Sequence, residues 1–265
     1  MVWEIELLNS LQDILSDLLR DRRDVAISFS GGLDSSILAS IASEYCTPHL
    51  YTVGIEDSHD ISVARTTSEK LGLPWEKIVI TEEDIIDAIP KLVAIIFDLN
   101  PLVLSYELPL YFVASNAKES ILVSGQGADE LFGGYKRYEL LSLEEREKSM
   151  NEDLTKLLNI GINLERKIAA HFDKVIVHPY LSPQFIDLVR NIPIDERMKD
   201  GLRKGLLRNV ARILALDEIA DCEKKAAQYG SGIMKVLKNA ARKRKLHLKE
   251  YVQQLVTSGG RSARC

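Results

Sequence analysis

The chain has 265 residues and a formal net charge of −5, which predicts one large domain or two small ones and argues against a general nucleic-acid binder. It contains no run of about 18 apolar residues, so we expect no membrane span, and acidic residues at positions 4 and 6 interrupt the apolar run that a signal peptide needs. The three cysteines lie far apart and lack metal-ligand spacing, which is typical of idle thiols in a cytoplasmic protein.

Helix and strand patterns alternate through the first half of the chain. After a helix over residues 2–20, strands are predicted at 25–29, 49–53, 77–80 and 121–123, with helices at 37–45, 61–71, 81–95 and 108–118. Gly72 is predicted to end one helix, and Thr81 with Asp84 resembles a capping box that begins the next. That helix is expected to end before Asn100-Pro101. This alternation predicts an α/β fold with a doubly wound parallel sheet, whose ligands bind beyond the carboxyl ends of the strands.

The second half of the chain is predicted to be mostly helical. After residue 140 only one further strand pattern is found, at 174–177. We therefore expect a single domain over 1–265, with an α/β core over 1–140, a mostly helical part over 141–250 and a loose tail over 251–265.

A loop rich in glycine and serine joins the first predicted strand to the helix that follows. Two adjacent glycines let the backbone approach a ligand closely, and the start of a helix offers N–H groups and a partial charge of about +0.5. Phosphates bind well at such places. The loop is therefore predicted to bind phosphate, and its residues are Ser30, Gly31, Gly32, Leu33, Asp34, Ser35 and Ser36.

A second glycine-rich turn follows the fourth predicted strand and reads Ser124-Gly125-Gln126-Gly127-Ala128-Asp129-Glu130-Leu131-Phe132-Gly133-Gly134-Tyr135. Because the carboxyl ends of parallel strands lie at one edge of a sheet, Asp34 and Asp129 are expected to project into one crevice. Two carboxylates beside a phosphate chain suit Mg²⁺, which prefers oxygen ligands. The two turns together therefore predict a site for a magnesium-bound phosphate.

The first loop resembles the pyrophosphate loop of the N-type ATP pyrophosphatases, and the pair of loops is similar to the synthetase domain of asparagine synthetase. Segments 200–208 and 219–232 resemble two lysine-containing stretches of that family. The resemblance implies an adenine nucleotide alpha hydrolase-like fold that binds ATP and Mg²⁺ as cofactors. It also implies that Lys204 and Lys224 stabilise charge during phosphoryl transfer.

Further roles follow from the same resemblance. Residues 30–36 would hold the pyrophosphate, Asp34 and Asp129 the metal ion, and Val53 with Gly54 would border the adenine. Two residues of the second turn, Ser124 and Gly125, would contact the nucleotide and the acyl-adenylate.

The reaction that the resemblance implies is an ATP-dependent amide synthesis. A small carboxylic acid, aspartate in the family, attacks the α-phosphorus, pyrophosphate leaves, and ammonia then displaces AMP from the acyl-adenylate. Met1 is not followed by the cysteine that a glutaminase domain needs, so ammonia is expected to arrive free or from a separate glutaminase subunit. Whether the chain forms a homodimer is left open.

The chain departs from the family pattern on the acceptor side. Gln126 stands where the family usually has an acid, and because glutamine cannot take a proton, Glu130 and Glu107 become candidates for the general base. Cys222 stands where the late segment often has arginine. Uncharged residues replace a glutamate, an arginine and an aspartate of the family at Val175, Val177 and Ser182, which leaves the identity of the acid open.

Two other functions stay open. The chain could adenylate a different acceptor, in a ring closure like that of β-lactam synthetase or in a tRNA modification for which the basic run 242–245 would contact RNA. It could also be a nucleotide-binding regulatory protein without turnover, because the changes at Gln126, Val175 and Val177 spare the ATP side.

Overall fold

The core of the protein is a five-stranded parallel sheet. The computed structural model describes residues 2–20, 22, 24–199, 202–221 and 230–262. The sheet has the strand order β3-β2-β1-β4-β5, and every neighbouring pair is parallel. The strands are β1 (Asp24–Ser28), β2 (Thr47–Gly54), β3 (Trp75–Val79), β4 (Ile121–Val123) and β5 (Val175–Val177). The predicted doubly wound parallel sheet is confirmed, and its order changes direction between β1 and β4, where such sheets bind ligands.

Helices surround the sheet and form most of the second half of the described chain. Those of the first half are α1 (Val2–Leu19), α2 (Leu33–Ala42), α3 (His59–Leu71), α4 (Glu82–Ile96), α5 (Pro101–Asn116) and α6 (Ala128–Phe132). Those that follow are α7 (Leu143–Lys156), α8 (Ile162–His171), α9 (Pro183–Arg190), α10 (Ile194–Arg197), α11 (Gly205–Ile213), α12 (Asp217–Asp221), α13 (Ile233–Lys243) and α14 (Leu248–Ser262). Short 3₁₀ turns lie at Lys136–Leu140 and Pro179–Leu181, and a π turn joins α7 to α8 at Leu157–Gly161.

Both faces of the sheet are covered by apolar helices. Along β1, Val25 and Ile27 pack into one cluster, with apolar residues of α1, α2, α9 and α11, whereas Ala26 packs into the other, with residues of α4, α5, α8 and α13. Successive side chains of a strand point to opposite faces, so a strand that is buried on both sides must be apolar throughout. Because helices cover both faces, the loops that follow the strands lie at the carboxyl edge of the sheet.

Two helix boundaries confirm local sequence signals. Asp84 accepts a hydrogen bond from the Thr81 backbone N–H at 2.8 Å, and Thr81 Oγ1 accepts one from Asp84 N–H at 3.2 Å, so the capping box at the start of α4 is present. Gly72 ends α3 with φ +64°, a left-handed conformation that favours glycine.

Two boundaries differ from the predictions. Helix α5 begins at Pro101, seven residues before the predicted start at 108, because Asn100 caps it and proline is well suited to the first helical turn. The tail predicted from residue 251 is wrong over 251–262, where α14 continues and buries Tyr251 and Val252. The division of the domain at residue 140 stays a prediction, although β5 joins the same sheet as β4.

No single helix in the described segments is long and apolar enough to cross a membrane; α4 and α5 match a span only as a pair, and they are bent by 99°.

Candidate active site

The first glycine loop follows β1 and passes close to α3. Gly31 has φ +71°, and a Cβ atom there would lie 2.6 Å from Cα of Ala64, so a larger residue would collide with the α3 backbone. Gly32 precedes α2, and no side chain of the described residues caps that helix. The structure thus places the segment 30–36 at an uncapped helix N-terminus, which suits an anion.

The two glycine loops meet at the carboxyl edge of β1 and β4. A Cβ atom at Gly125 would lie 3.3 Å from Cβ of Asp34 and 3.5 Å from the backbone nitrogen of Ser35. Beside them, Ser124 is buried and its N–H donates to the Val177 carbonyl at 3.0 Å. A side chain at position 125 would be tightly packed against Asp34, and the two segments, 90 residues apart in the sequence, lie in contact here.

Lys204 lies between the two predicted metal ligands. Its Nζ atom is 2.7 Å from both carboxylate oxygens of Asp34 and 2.5 Å from Oδ1 of Asp129, and the lysine is only 4% exposed. Its backbone has φ +57° and its N–H donates to the Phe132 carbonyl at 3.0 Å, which ties the start of α11 to the end of α6. A side chain at Gly134 would overlap both Asp129 and Lys204 as they are placed here.

A second group of polar side chains lies beside the second loop. The amide Nε2 of Gln126 donates to Oε1 of Glu165 at 2.8 Å, and Nε2 of His178 is 2.6 Å from the other oxygen of that carboxylate. The side chains of Glu165 and His178 are both 5% exposed. Neither Glu165 nor His178 is among the site residues predicted from the sequence. The position of His178, directly after β5, was a usable signal for the carboxyl edge, whereas a glutamate inside α8 offered none.

The two candidate bases of the sequence analysis are buried acids. Burial raises the pKa of Glu130 to about 7, helped by the nearby charge of Asp129, while the Tyr135 hydroxyl donates to Oε1 at 2.6 Å. Burial also raises the pKa of Glu107 well above its usual range, and the Glu165 charge adds to this effect. Both groups therefore favour the protonated form more than an exposed glutamate does.

Of the remaining predicted site residues, the structure describes Val53 and Gly54 but not Lys224. Val53 and Gly54 end β2 at the same carboxyl edge, and the carbonyl of Ser231 accepts a hydrogen bond from the next residue, Ile55, at 3.0 Å. Lys224 and Cys222 lie outside the described residues.

Asp34 and Asp129 fit a magnesium site in which phosphate oxygens of the substrate supply the remaining ligands. Across the described ranges, no three His, Cys, Asp or Glu side chains are grouped as a metal site. Magnesium, however, is often held by one or two carboxylates together with phosphate oxygens of the substrate. Asp34 and Asp129 supply two such carboxylates, which Lys204 neutralises in this structure.

The chain is similar to known proteins in sequence and in structure. A family model described as asparagine synthase matches residues 6–173 and 148–259. An asparagine synthetase of the glutamine-hydrolysing type from Bacillus subtilis is 39% identical over 54% of this chain and 23% of that protein. A U34-tRNA thiolase structure from Methanococcus maripaludis has a TM-score of 0.45 and 15% identity, over 98% of this chain and 79% of that one.

A protein of Methanocaldococcus jannaschii that carries the name of a glutamine-hydrolysing asparagine synthetase is 32% identical over 88% of this chain and 50% of its own length. The chain thus spans about half the length of this relative. Since the family model covers most of the sequence, the chain belongs to the asparagine synthase family.

Proposed function

We propose that this protein is an ATP-dependent ligase that adenylates a small carboxylic acid and then joins it to ammonia. The observation that carries the proposal is the contact of Lys204 with both Asp34 and Asp129, where the two glycine loops meet. A buried ammonium group at this point would stabilise the negative charge that develops on phosphate oxygens as pyrophosphate leaves. The family membership supports the same class of reaction.

The other predicted residues have roles around that centre. The N–H groups and hydroxyls of residues 30–36 bind the pyrophosphate, Val53 and Gly54 border the adenine, and Ser124 with Gly125 contact the nucleotide. When bound, Mg²⁺ would be held by Asp34 and Asp129 and would neutralise charge on the leaving pyrophosphate. Lys224 stays a second candidate from the sequence.

Aspartate is the acid that we propose. Two of the three uncharged replacements lie at positions that bear on this choice: Val175 is 61% exposed at the start of the edge strand, at the amino end of β5, and Ser182 caps α9 by accepting from Phe185 N–H at 3.3 Å. The charges missing at these positions are therefore weak evidence against aspartate. The nitrogen source in the proposal is ammonia, supplied free or by a separate glutaminase.

The proposal is tested by incubating the protein with ATP, Mg²⁺, ammonium and a panel of carboxylic acids. We expect AMP and pyrophosphate in equal amounts, and asparagine when the acid is aspartate. AMP with a different acid alone would reject aspartate and keep the ligase. Retention of ATP without AMP from any acid would overturn the proposal in favour of a nucleotide-binding protein without turnover.

A pair of lysine variants sharpens the test. Lys204→Met should lower AMP formation by about 10²- to 10³-fold, because it removes a buried donor to the phosphates. Lys243→Met is the control, since Lys243 pairs at 2.9 Å with Glu82 on the surface and should keep full activity. Equal activity of the two variants would contradict the role of Lys204.

A further inference from the structure

Arg203 precedes Lys204 in the chain and contacts the turn that follows the second glycine loop. Its Nη1 atom donates to the Gly134 carbonyl at 3.4 Å, and its Nε atom pairs with Oε1 of Glu139 at 2.9 Å. Glu139 lies in the 3₁₀ turn Lys136–Leu140. One guanidinium group therefore bridges two points of the segment that follows α6.

The carbonyl that Arg203 binds belongs to a residue that packs against the Lys204 side chain. A Cβ atom at Gly134 would overlap both Cε of Lys204 and Oδ1 of Asp129. The Gly134 N–H also donates to the Asp129 carbonyl at 2.8 Å, so the same backbone supports the second glycine loop. A shift of this backbone would therefore change the space in which the ammonium and the carboxylate meet.

The backbone of Lys204 has a conformation that lysine rarely adopts. Its φ is +57°, in the left-handed region, which is costly for a residue with a Cβ atom. Such conformations persist where surrounding contacts hold them. Here the Lys204 N–H donates to the Phe132 carbonyl at 3.0 Å, and Arg203 binds the carbonyl of Gly134, so the turn before α11 is attached on both sides of Gly133.

We propose that Arg203 is a positioning residue for the reaction: with Glu139 as its anchor, it holds the backbone around Lys204 so that the ammonium group stays between the two glycine loops. The inference rests on the proposed ligase function for its chemistry, since this ammonium would meet the phosphates. Arginine suits the role because its planar guanidinium donates in fixed directions, here to a carbonyl and a carboxylate at once.

The ion pair of Arg203 and Glu139 is partly exposed, with 23% and 35% of the two side chains accessible. Ion pairs of this kind add little to the stability of a whole protein. The removal of Arg203 should therefore affect the position of Lys204 much more than the fold.

Acetylation by sulfosuccinimidyl acetate, followed residue by residue with mass spectrometry, measures the protection of Lys204 without any turnover. In the wild type, Lys204 should react far more slowly than exposed Lys243, because it is 4% exposed and bound by two carboxylates. Arg203→Met should speed the reaction of Lys204 at least tenfold, and Glu139→Gln at least threefold. Lys174, which donates to two backbone carbonyls at the opposite edge of the sheet, is the internal reference and should keep its rate.

Kinetics test whether Arg203 acts through Lys204. Arg203→Met should lower kcat for AMP formation at least tenfold and leave the KM for ATP within threefold, and Arg203→Lys should recover part of the loss. In a Lys204→Met background, Arg203→Met should cost less than a further twofold, because a positioning residue has no effect once the group it positions is gone. Arg212→Met is the matched control: Arg212 on α11 pairs with Asp221 at 2.6 Å, and its loss should leave the Lys204 protection and the rate unchanged.

The outcomes separate this inference from the ligase function itself. Unchanged acetylation of Lys204 in both Arg203→Met and Glu139→Gln would overturn the inference, whether or not the wild type is a ligase. Faster acetylation of Lys204 and Lys174 alike would also overturn it, because it would mean a general loosening of the fold. Selective loss of Lys204 protection in a protein that never forms AMP would keep the role of Arg203 in placing Lys204 and reject the ligase.

Discussion

The ammonium group of Lys204 contacts both carboxylate oxygens of Asp34 at 2.7 Å, although the two residues are 170 positions apart. Asp129 contacts the same ammonium at 2.5 Å, so one buried cation compensates two acids on different loops. The salt bridges thus connect the first loop, the second loop and the start of α11. We therefore expect Lys204 to contribute to the stability of the protein as well as to the proposed chemistry.

We expect Lys204→Met to lower the free energy of unfolding by about 3 kcal/mol, because it removes the ammonium from the buried carboxylate of Asp34 and from the partly buried carboxylate of Asp129. Added Mg²⁺ should recover part of this loss in the variant and have less effect on the wild type. Urea unfolding with and without Mg²⁺ measures both quantities. Lys243→Met, at an exposed ion pair, should change the free energy by less than about 0.5 kcal/mol. An equal effect of Mg²⁺ on all three proteins would contradict a metal site at the two aspartates.

Comparison of Gly31→Ala with Gly72→Ala separates the cost of backbone strain from the cost of a steric clash with α3. Both glycines have positive φ, +71° and +64°, so either alanine should cost about 1–2 kcal/mol of unfolding free energy. Only at Gly31 would the new Cβ meet the α3 backbone, 2.6 Å from Cα of Ala64, whereas nothing lies within 4 Å at Gly72. We therefore expect a larger loss for Gly31→Ala, together with weaker ATP binding, measured by urea unfolding and calorimetric titration. Equal losses for the two variants would show that the first loop can move away from α3.

The local parts of this structure could be predicted from the sequence. Each glycine loop directly follows an apolar strand, and the capping box of Thr81 and Asp84 spans only four residues. Such patterns can be recognised from a short stretch of sequence. The sequence predicts the start of α5 seven residues too late, because Asn100-Pro101 is typical of a helix end, whereas here the same pair begins the next helix.

The partners of the site could not be predicted, because they come from distant segments. Glu165 meets Gln126 across 39 positions and Lys204 reaches Asp34 across 170, and no local periodicity encodes such pairs. The basic run 242–245 shows the same limit. RNA contact by this run stays a prediction, and the sequence did not indicate that Lys243 pairs with Glu82 or that Arg244 lies over the Tyr251 ring.

Restoring an acid at position 126 should harm this protein. In Gln126→Glu the new carboxylate would face Oε1 of Glu165, which now accepts a hydrogen bond at 2.8 Å, so we expect a loss of about 1–3 kcal/mol in unfolding free energy. Adding Glu165→Gln exchanges donor and acceptor and should recover most of this loss. A double-mutant cycle measured by urea unfolding checks the coupling. Additive losses would show that the hydrogen bond between Gln126 and Glu165 does not contribute to stability.

The pH dependence of stability should carry a contribution from Glu130, whose pKa burial raises from 4.5 to about 7. Below pH 4.5 the group is protonated in both the folded and the unfolded chain, so its favourable contribution is fully present. As the pH rises towards 7, the unfolded chain releases this proton first, and stability falls by up to about 1.4 kcal/mol per pH unit, or about 3 kcal/mol in all. Above pH 7 both states are ionised and the contribution is constant.

Glu130→Gln should therefore reduce the fall of the unfolding free energy between pH 4.5 and 7 by the equivalent of one proton, as measured by urea unfolding at several pH values. Glu107 adds a decline of the same sign, because burial also raises its pKa, so the variant should keep part of the slope. Exposed Glu152 on α7 provides the control, and Glu152→Gln should retain the wild-type slope. A slope that Glu130→Gln leaves unchanged would mean that Glu130 ionises in the folded protein as an exposed glutamate does, and that Oε2, which has no hydrogen-bond partner among the described residues, is reached by water.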